Sequence, residues 1–430
     1  MNLADFNFEW IDVPGRAEAD VAETMARLEI RIGGRIVTRV IDKRGRSVRD
    51  GIITPLAPIA EWIAANWWAL LEECKQTTRS IEEFESRHKL RRAERGFPLP
   101  DLEINTEGES SICEWNSRRT EFGTVDFLGH DSVRVPRADL RDTLWAFVEA
   151  VVARLNDRHV VETTLYDLWN SVRGTAPEEE PFCRLAGRLG LDPYGIDDVL
   201  ATQLDEMDSK FPSNIRDEFA AAVPAGNLAG GISWIEAGLD KLRSMNGSTA
   251  SRPRPVLSLP QVSLPDPTPW SDGYRLAQVF RETVGQPSDS GKFDFAQVVD
   301  EQGMVPCCEN PAGLDAVVRS RSGGLLVYTR ARRPETRQFL LARALFASCE
   351  SHQLEETLLT TASTAWQQQS RAFAAELLVP SNYLRKTIRR DTVDSEDIGD
   401  LAAELGVSTW VVERQIENHG IARVGLSEIG

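Results

Sequence analysis

Cys349, His352, Glu355 and Glu356 cluster in sequence and are residue types that could hold a displaced metal ion. A Cys and a His at i and i+3 can share one helix face, so a zinc site is one reading. No fourth ligand is evident, and ordinary surface chemistry is the expectation. The five histidines are His88, His130, His159, His352 and His419, and no two are close enough to form the HExxH spacing that binds zinc on a helix. The adjacent Cys307 and Cys308 lack the CxxC spacing of a zinc or redox site. Residues 1–245 carry no P-loop, no GxGxxG after a strand and no GxSxG elbow. From residue types alone the expectation is no catalytic, metal or cofactor site.

Two features invite a binding reading. Trp62, Trp67 and Trp68 lie in a stretch almost without charge, so core packing is expected over base stacking, which comes with interleaved Arg and Lys. The basic run His88–Arg95 (HKLRRAER) is expected to be a solvated helix face.

The elements that must position any site follow from composition and pattern. The chain has 430 residues, 49 Lys and Arg against 66 Asp and Glu, and a formal charge of −17. That length predicts two to four domains, and 41% hydrophobic residues exclude global disorder. The acidic balance argues against broad nucleic-acid binding, which needs basic side chains to displace phosphate counterions. The N-terminal residues show no basic region or long apolar stretch, and Pro55–Leu71 is too short and interrupted to span a bilayer. The expectation is a cytoplasmic bacterial protein with reduced thiols and no membrane partner.

The expected class is a multidomain α+β protein. A mixed α/β domain covers 1–135, with a hairpin over Leu28–Asp42 around Gly33–Gly34, a helix Ile59–Glu73 and strands in Thr124–Val135. A helical domain covers 136–245, beginning with the periodic segment Arg137–Asn156. Residues 246–269 hold six prolines and read as a linker. The unit 270–430 shows a helix over Phe293–Glu301, strands at Leu314–Arg319 and Gly324–Thr329 about a turn Ser320–Gly323, helices Glu335–Cys349 and Thr361–Val379, and a helical segment Asp400–Asn418.

That last order resembles the ImmA/IrrE family of bacterial metallopeptidases. Phe373–Pro380 (FAAELLVP) is close to the signature ending of the family's second helix. Leu401–Ser408 (LAAELGVS), followed by Arg414 and Asn418–Ile421, resembles its closing helix-turn-helix-like segment. Arg337–Ala342 (RQFLLA) resembles the entry to its active-site helix. The resemblance covers about a third of the chain and implies a zincin-like α+β domain.

Zinc-assisted peptide hydrolysis in the family uses two histidines at i and i+4, a Glu after the first as general base, and a carboxylate from the second helix. Registered on that pattern, Arg343 stands at the first histidine, Ala344 at the general base, Ala347 at the second histidine, and Gln367 or Gln369 at the carboxylate. A guanidinium repels zinc, alanine has no donor atom and a neutral amide is a poor ligand. The resemblance therefore implies a pseudopeptidase. Arg343, a charge on an apolar helix, needs a partner if buried, with Glu376 or Glu350 as candidates.

From Val393 to the C-terminus eight acidic residues face two basic ones, so the closing segment is expected to pack on the core and not on DNA. The functional expectation is a non-catalytic regulatory or scaffolding subunit of a bacterial multi-protein system, in stress response, toxin–antitoxin control or anti-phage defence. Its partner would be a helix-turn-helix regulator or other complex subunits. The alternatives are an active metallopeptidase with a rearranged site, near Cys349 and His352, and a nucleic-acid-binding subunit of a defence complex.

Overall fold

The computed structural model describes residues 3–12, 18–75, 80–121, 123–245, 269–298, 303–321, 324–349 and 355–425. The chain is mixed α/β and divides into two compact units, Met1–Lys210 and Phe211–Gly430. Among the described residues no helix is long and apolar enough to cross a membrane. The expected linker lies almost wholly outside the described residues; the helix Pro269–Thr283 begins at its last position.

In the first unit, alternation in Met25–Ile32 puts Leu28, Ile30 and Ile32 on one buried face. This strand pairs antiparallel with Ala4–Trp10, from Ala4↔Ile32 to Trp10↔Ala26, and with Ile52–Pro55. Gly33 and Gly34, at φ +57° and +77°, turn the chain into Arg35–Ile36 as the hairpin reading expects. The second arm ends earlier than expected. Thr38 Oγ1 takes the Ile30 amide at 3.0 Å, and Val40–Asp42 leaves to pair with Ser47–Arg49 and Val125–Phe127. A further antiparallel sheet joins Asp101–Glu107, Ser110–Asn116 and Asp131–Pro136.

The expected helix Ile59–Glu73 is two helices, Ala57–Ala65 and Trp67–Glu72. Asn66 breaks it: its Nδ2 donates to Trp62 O at 2.8 Å, competing with the helical ladder. Trp62, Trp67 and Trp68 are buried in the core, as expected. The reading of His88–Arg95 as a solvated helix face needs correction: the helix ends at His88, a 3₁₀ turn Leu90–Ala93 follows, and His88, Leu90 and Ala93 are buried. His88 is fully buried, its Nδ1 2.6 Å from Ile104 O and its Nε2 3.0 Å from Glu73 Oε2. The arginines that follow are held by carboxylates: Arg91 by Asp101, Arg92 by Glu85 and Arg95 by Glu61.

The expected helical domain 136–245 is divided between the two units. The long helix Arg137–Asp157 belongs to the first unit because its apolar stripe is docked there: Phe147 lies 5.3 Å from Phe6 and 5.9 Å from Phe8, edge to face. Further along, the helix Glu180–Arg188 crosses Trp67–Glu72 so closely that a Cβ at Gly187 would lie 2.6 Å from Trp68 O. Gly187→Ala is therefore expected to cost about 2 kcal/mol by forcing backbone apart; an unchanged denaturation midpoint would show that the crossing can widen freely.

The second unit carries a four-stranded sheet in the order Met304–Pro306, Gly324–Thr329, Leu314–Arg321, Glu356–Thr360, parallel in the first pair and antiparallel in the others. Both expected strands are present, and Glu356–Thr360 is an addition; the expected turn Ser320–Gly323 lies partly outside the described residues. Helices Pro334–Cys349, Ala365–Leu378 and Pro269–Thr283 share one core with the sheet. The helix Leu228–Ser244 also belongs here, since a Cβ at Gly238 would lie 2.8 Å from the Tyr328 ring and 3.0 Å from Val317. Of the helix expected at Phe293–Glu301 only a 3₁₀ turn, Phe295–Gln297, is formed among the described residues, capped by Asp294 Oδ1 on the Ala296 amide. Asp400–Asn418 is two helices, Ser395–Leu405 and Thr409–Asn418, parted by Gly406 at φ +71°. Their inner faces, including Leu401, Leu405, Val412 and Ile416, are buried in the same core, in agreement with the packing expectation.

Candidate functional site

Beyond its polar first turn the helix Pro334–Cys349 is apolar nearly all round: Leu340, Leu341, Ala342, Ala344, Leu345, Phe346 and Ala347 are all buried. Arg343 sits among them, 2% exposed. A guanidinium has five N–H donors and no acceptor, so burial there demands oxygen atoms around it.

Four oxygens supply that demand, from three elements. Arg343 Nη1 donates to Asp315 Oδ2 at 2.8 Å, from the strand Leu314–Arg321. Nη2 donates to Thr360 O at 2.9 Å, at the end of the strand Glu356–Thr360, and also to Gln367 Oε1. Nε donates to Ser370 Oγ at 3.2 Å. Gln367 and Ser370 are three apart on the helix Ala365–Leu378 and share a face.

The acceptors are themselves fixed. Gln367 Oε1 also accepts the Thr360 amide at 3.1 Å, and its Nε2 donates to Leu358 O at 2.8 Å. Ser370 Oγ donates to Gln367 O at 3.0 Å. A second guanidinium adjoins: Arg371 donates to Ala362 O at 2.8 Å and Thr360 O at 3.3 Å. Burial first, then the charge of Arg343, pushes Arg371 down to about 10, against the pull of Asp315 and Glu218. Glu218 in turn accepts Thr364 Oγ1, at 2.8 Å and 2.9 Å to its two oxygens. The result is a closed hydrogen-bonded cluster of two arginines with carboxylates beside them.

The residues singled out from the sequence divide clearly. Arg343 and Gln367 meet directly. Gln369 is half-buried, and two residues beyond Gln367 it is turned about 200° around the helix. On that side Gly273 lies so near that any Cβ there would collide with Gln369 O. Ala344 and Ala347 are buried methyl groups that only fill space.

The expected pairing of Arg343 with Glu376 does not occur; Asp315 takes that place. Glu376 is nine residues beyond Gln367, roughly half a turn away around the helix. It is fully buried and accepts Gln278 Nε2 at 2.9 Å, Ser381 Oγ at 2.8 Å, Ser381 N at 3.1 Å and Gln415 Nε2 at 3.0 Å, with His419 Nε2 at 3.2 Å. Burial raises its pKa, but His419 and the bonds from Gln278 and Ser381 outweigh that and hold it below the usual range. Glu376 thus ties the closing helices to the core. Glu350 lies outside the described residues.

Within the grouping Cys349, His352, Glu355 and Glu356, the Cys349 side chain and His352 lie outside the described residues. Glu356 is held in a fork by Arg243, at 2.8 Å and 2.6 Å, and Glu355 accepts Arg319 Nη2 at 3.0 Å. Among the described residues no three His, Cys, Asp or Glu side chains converge as a metal site.

Asp315, Ser370, Arg371 and Glu218 escaped sequence reading. The one available signal was Arg343 itself, which announces that acceptors must exist without saying where. Asp315 is engaged by Arg343, Gln367 by Arg343 and Glu218 by Thr364, so these residues form a hydrogen-bonded charge cluster. The donor set does not fit zinc, because a guanidinium points into it and Gln367 offers only a neutral amide oxygen. Compared with known proteins, the chain matches no family model and no curated sequence.

Proposed function

We propose that residues 270–430 are a pseudopeptidase of the ImmA/IrrE type, and that the chain serves as a non-catalytic regulatory or scaffolding subunit of a bacterial multi-protein assembly. The single observation that supports this reading is the direct contact of Arg343 with Gln367. Under the resemblance these two positions, 24 residues apart, would be a zinc histidine and the zinc carboxylate. Their meeting in the core is what a lost metal centre predicts: the cation is now covalently part of the chain. The partner is a protein, with a helix-turn-helix regulator as the first candidate.

The test uses the purified full-length chain, loaded with zinc and desalted, together with a co-expressed helix-turn-helix regulator. The expected result is far less than one equivalent of retained zinc, stable co-purification and an intact regulator. About one equivalent of zinc with cleavage that stops on chelation would establish an active peptidase instead.

A further inference from the structure

The Met1–Lys210 unit contains a cleft of about 440 Å³, within the usual size of small-ligand pockets. It lies between the helices Trp67–Glu72, Arg137–Asp157, Thr164–Gly174 and Glu180–Arg188. Its lining combines an aromatic and a cationic chemistry.

The first is aromatic. Trp67, Trp68 and Trp145 line the cleft. Trp67 and Trp68 are buried, whereas Trp145 is 38% exposed. The Trp145 ring is braced by Trp67 at 5.6 Å and by Trp169 at 4.7 Å. A solvent-reached indole held by two others offers a flat ligand a surface at little entropic cost.

The second is cationic. Arg137, Arg141, Arg173 and Arg184 line the cleft against three carboxylates, in a chain whose overall charge is strongly negative. Glu72, with a side chain 4% exposed, clamps Arg137 Nη1 at 2.9 Å and lies 3.5 Å from Arg184 and 3.2 Å from Arg188. The other arm of Arg137 meets Glu109, whose side chain is 92% exposed. Arg141 and Arg173 pair with the surface carboxylates Asp142 and Glu149. Exposed pairs of this kind contribute about 0–1 kcal/mol, so an incoming anion displaces them cheaply. The cleft also receives the start of the 21-residue helix Arg137–Asp157, whose N-cap, Pro136, supplies no side-chain cap. The positive end of that helix adds to the arginine field.

We propose that this cleft binds a nucleoside phosphate, its base stacked on Trp145 and its phosphate among Arg137, Arg141 and Arg173. The same chemistry is offered by a free mononucleotide and by the phosphorylated 5′ end of a nucleic-acid strand. The inference is independent of the pseudopeptidase reading, which concerns residues 270–430.

The test is a tryptophan-fluorescence and calorimetric titration of the full-length chain with AMP, GMP, adenosine, inorganic phosphate and a 5′-phosphorylated dinucleotide. A monophosphate is expected to quench saturably, with adenosine and phosphate each about tenfold weaker or worse. The double variant Arg141→Ala/Arg173→Ala, which leaves Glu72 and its clamp intact, is expected to weaken the monophosphate about tenfold at an unchanged melting temperature. Trp145→Phe should reduce both the quench and the affinity. Tighter binding of the dinucleotide than of AMP upholds the chemistry and assigns the ligand to a strand end; weaker or equal binding assigns it to the free nucleotide. Absence of saturation by every nucleotide up to about 5 mM overturns the proposal. So does binding that the double variant leaves unchanged, or phosphate binding as tight as that of AMP.

Discussion

Glu73→Gln is expected to destabilise the Met1–Lys210 unit by about 3–5 kcal/mol, the cost of removing a buried charge that holds the Arg87 guanidinium. Glu73 is fully buried and receives Arg87 Nε and Nη2, both at 2.8 Å, as well as His88 Nε2 at 3.0 Å. The cluster has no slack. A Cβ at Gly190, whose φ is +70°, would lie 2.5 Å from Arg87 Nη2 and 2.6 Å from Glu73 Oε1. Glutamine keeps the shape and one acceptor oxygen but removes the charge, so the effect isolates electrostatics from packing.

The same carboxylate fixes the direction of an acid response. Burial pushes its pKa up, but the bonds and charges of His88 and Arg87 outweigh burial and bring it from 4.5 to about 2. A folded value below the unfolded one means the contribution is complete above pH 4.5 and is lost as the pH falls toward 2. Urea unfolding between these limits should show the wild-type midpoint falling steeply, and the Glu73→Gln protein falling less. Equal slopes, or a loss under about 1 kcal/mol at neutral pH, would mean that water reaches this cluster.

Arg343→Met should lower the stability of the Phe211–Gly430 unit by roughly 3 kcal/mol. Methionine fits the apolar helix and the space, which limits the damage from packing. What remains is a set of oxygens without their donors. Thr360 O keeps Arg371 at 3.3 Å and Gln367 Oε1 keeps the Thr360 amide at 3.1 Å, while Asp315 Oδ2 and Ser370 Oγ lose the guanidinium. Arg343→Lys should recover only part of the loss, because one ammonium cannot span acceptors on three elements. A methionine variant as stable as wild type in equilibrium denaturation would show that the cluster contributes no net stability, as some buried ion networks do not.

The two predictions rest on parts of the chain that differed in how far the sequence revealed them. The burial of Trp62, Trp67 and Trp68 was legible because a stretch with so little charge must place its large indoles mostly inside. The burial of His88 was not, because it sits in a run of Lys and Arg and its carboxylate partner, Glu73, is 15 residues away along the chain. Arg343 marked itself as a residue in need of partners. Its actual partners come from a strand 28 residues earlier and a helix 24 residues later, and the first candidate, Glu376, went instead to the closing helices.

Local pattern by itself determined the Gly33–Gly34 turn and the extents of Arg137–Asp157 and Pro334–Cys349, since each depends on periodicity or on a φ that a few adjacent residues impose. Only the tertiary structure decided that the segment 136–245 is shared between two cores, that Gln367 and not Gln369 faces Arg343, and that four arginines and three tryptophans border one cleft. These outcomes depend on which distant surfaces meet, and a buried charge is satisfied by whatever oxygens the fold brings within hydrogen-bond reach, at any separation along the chain.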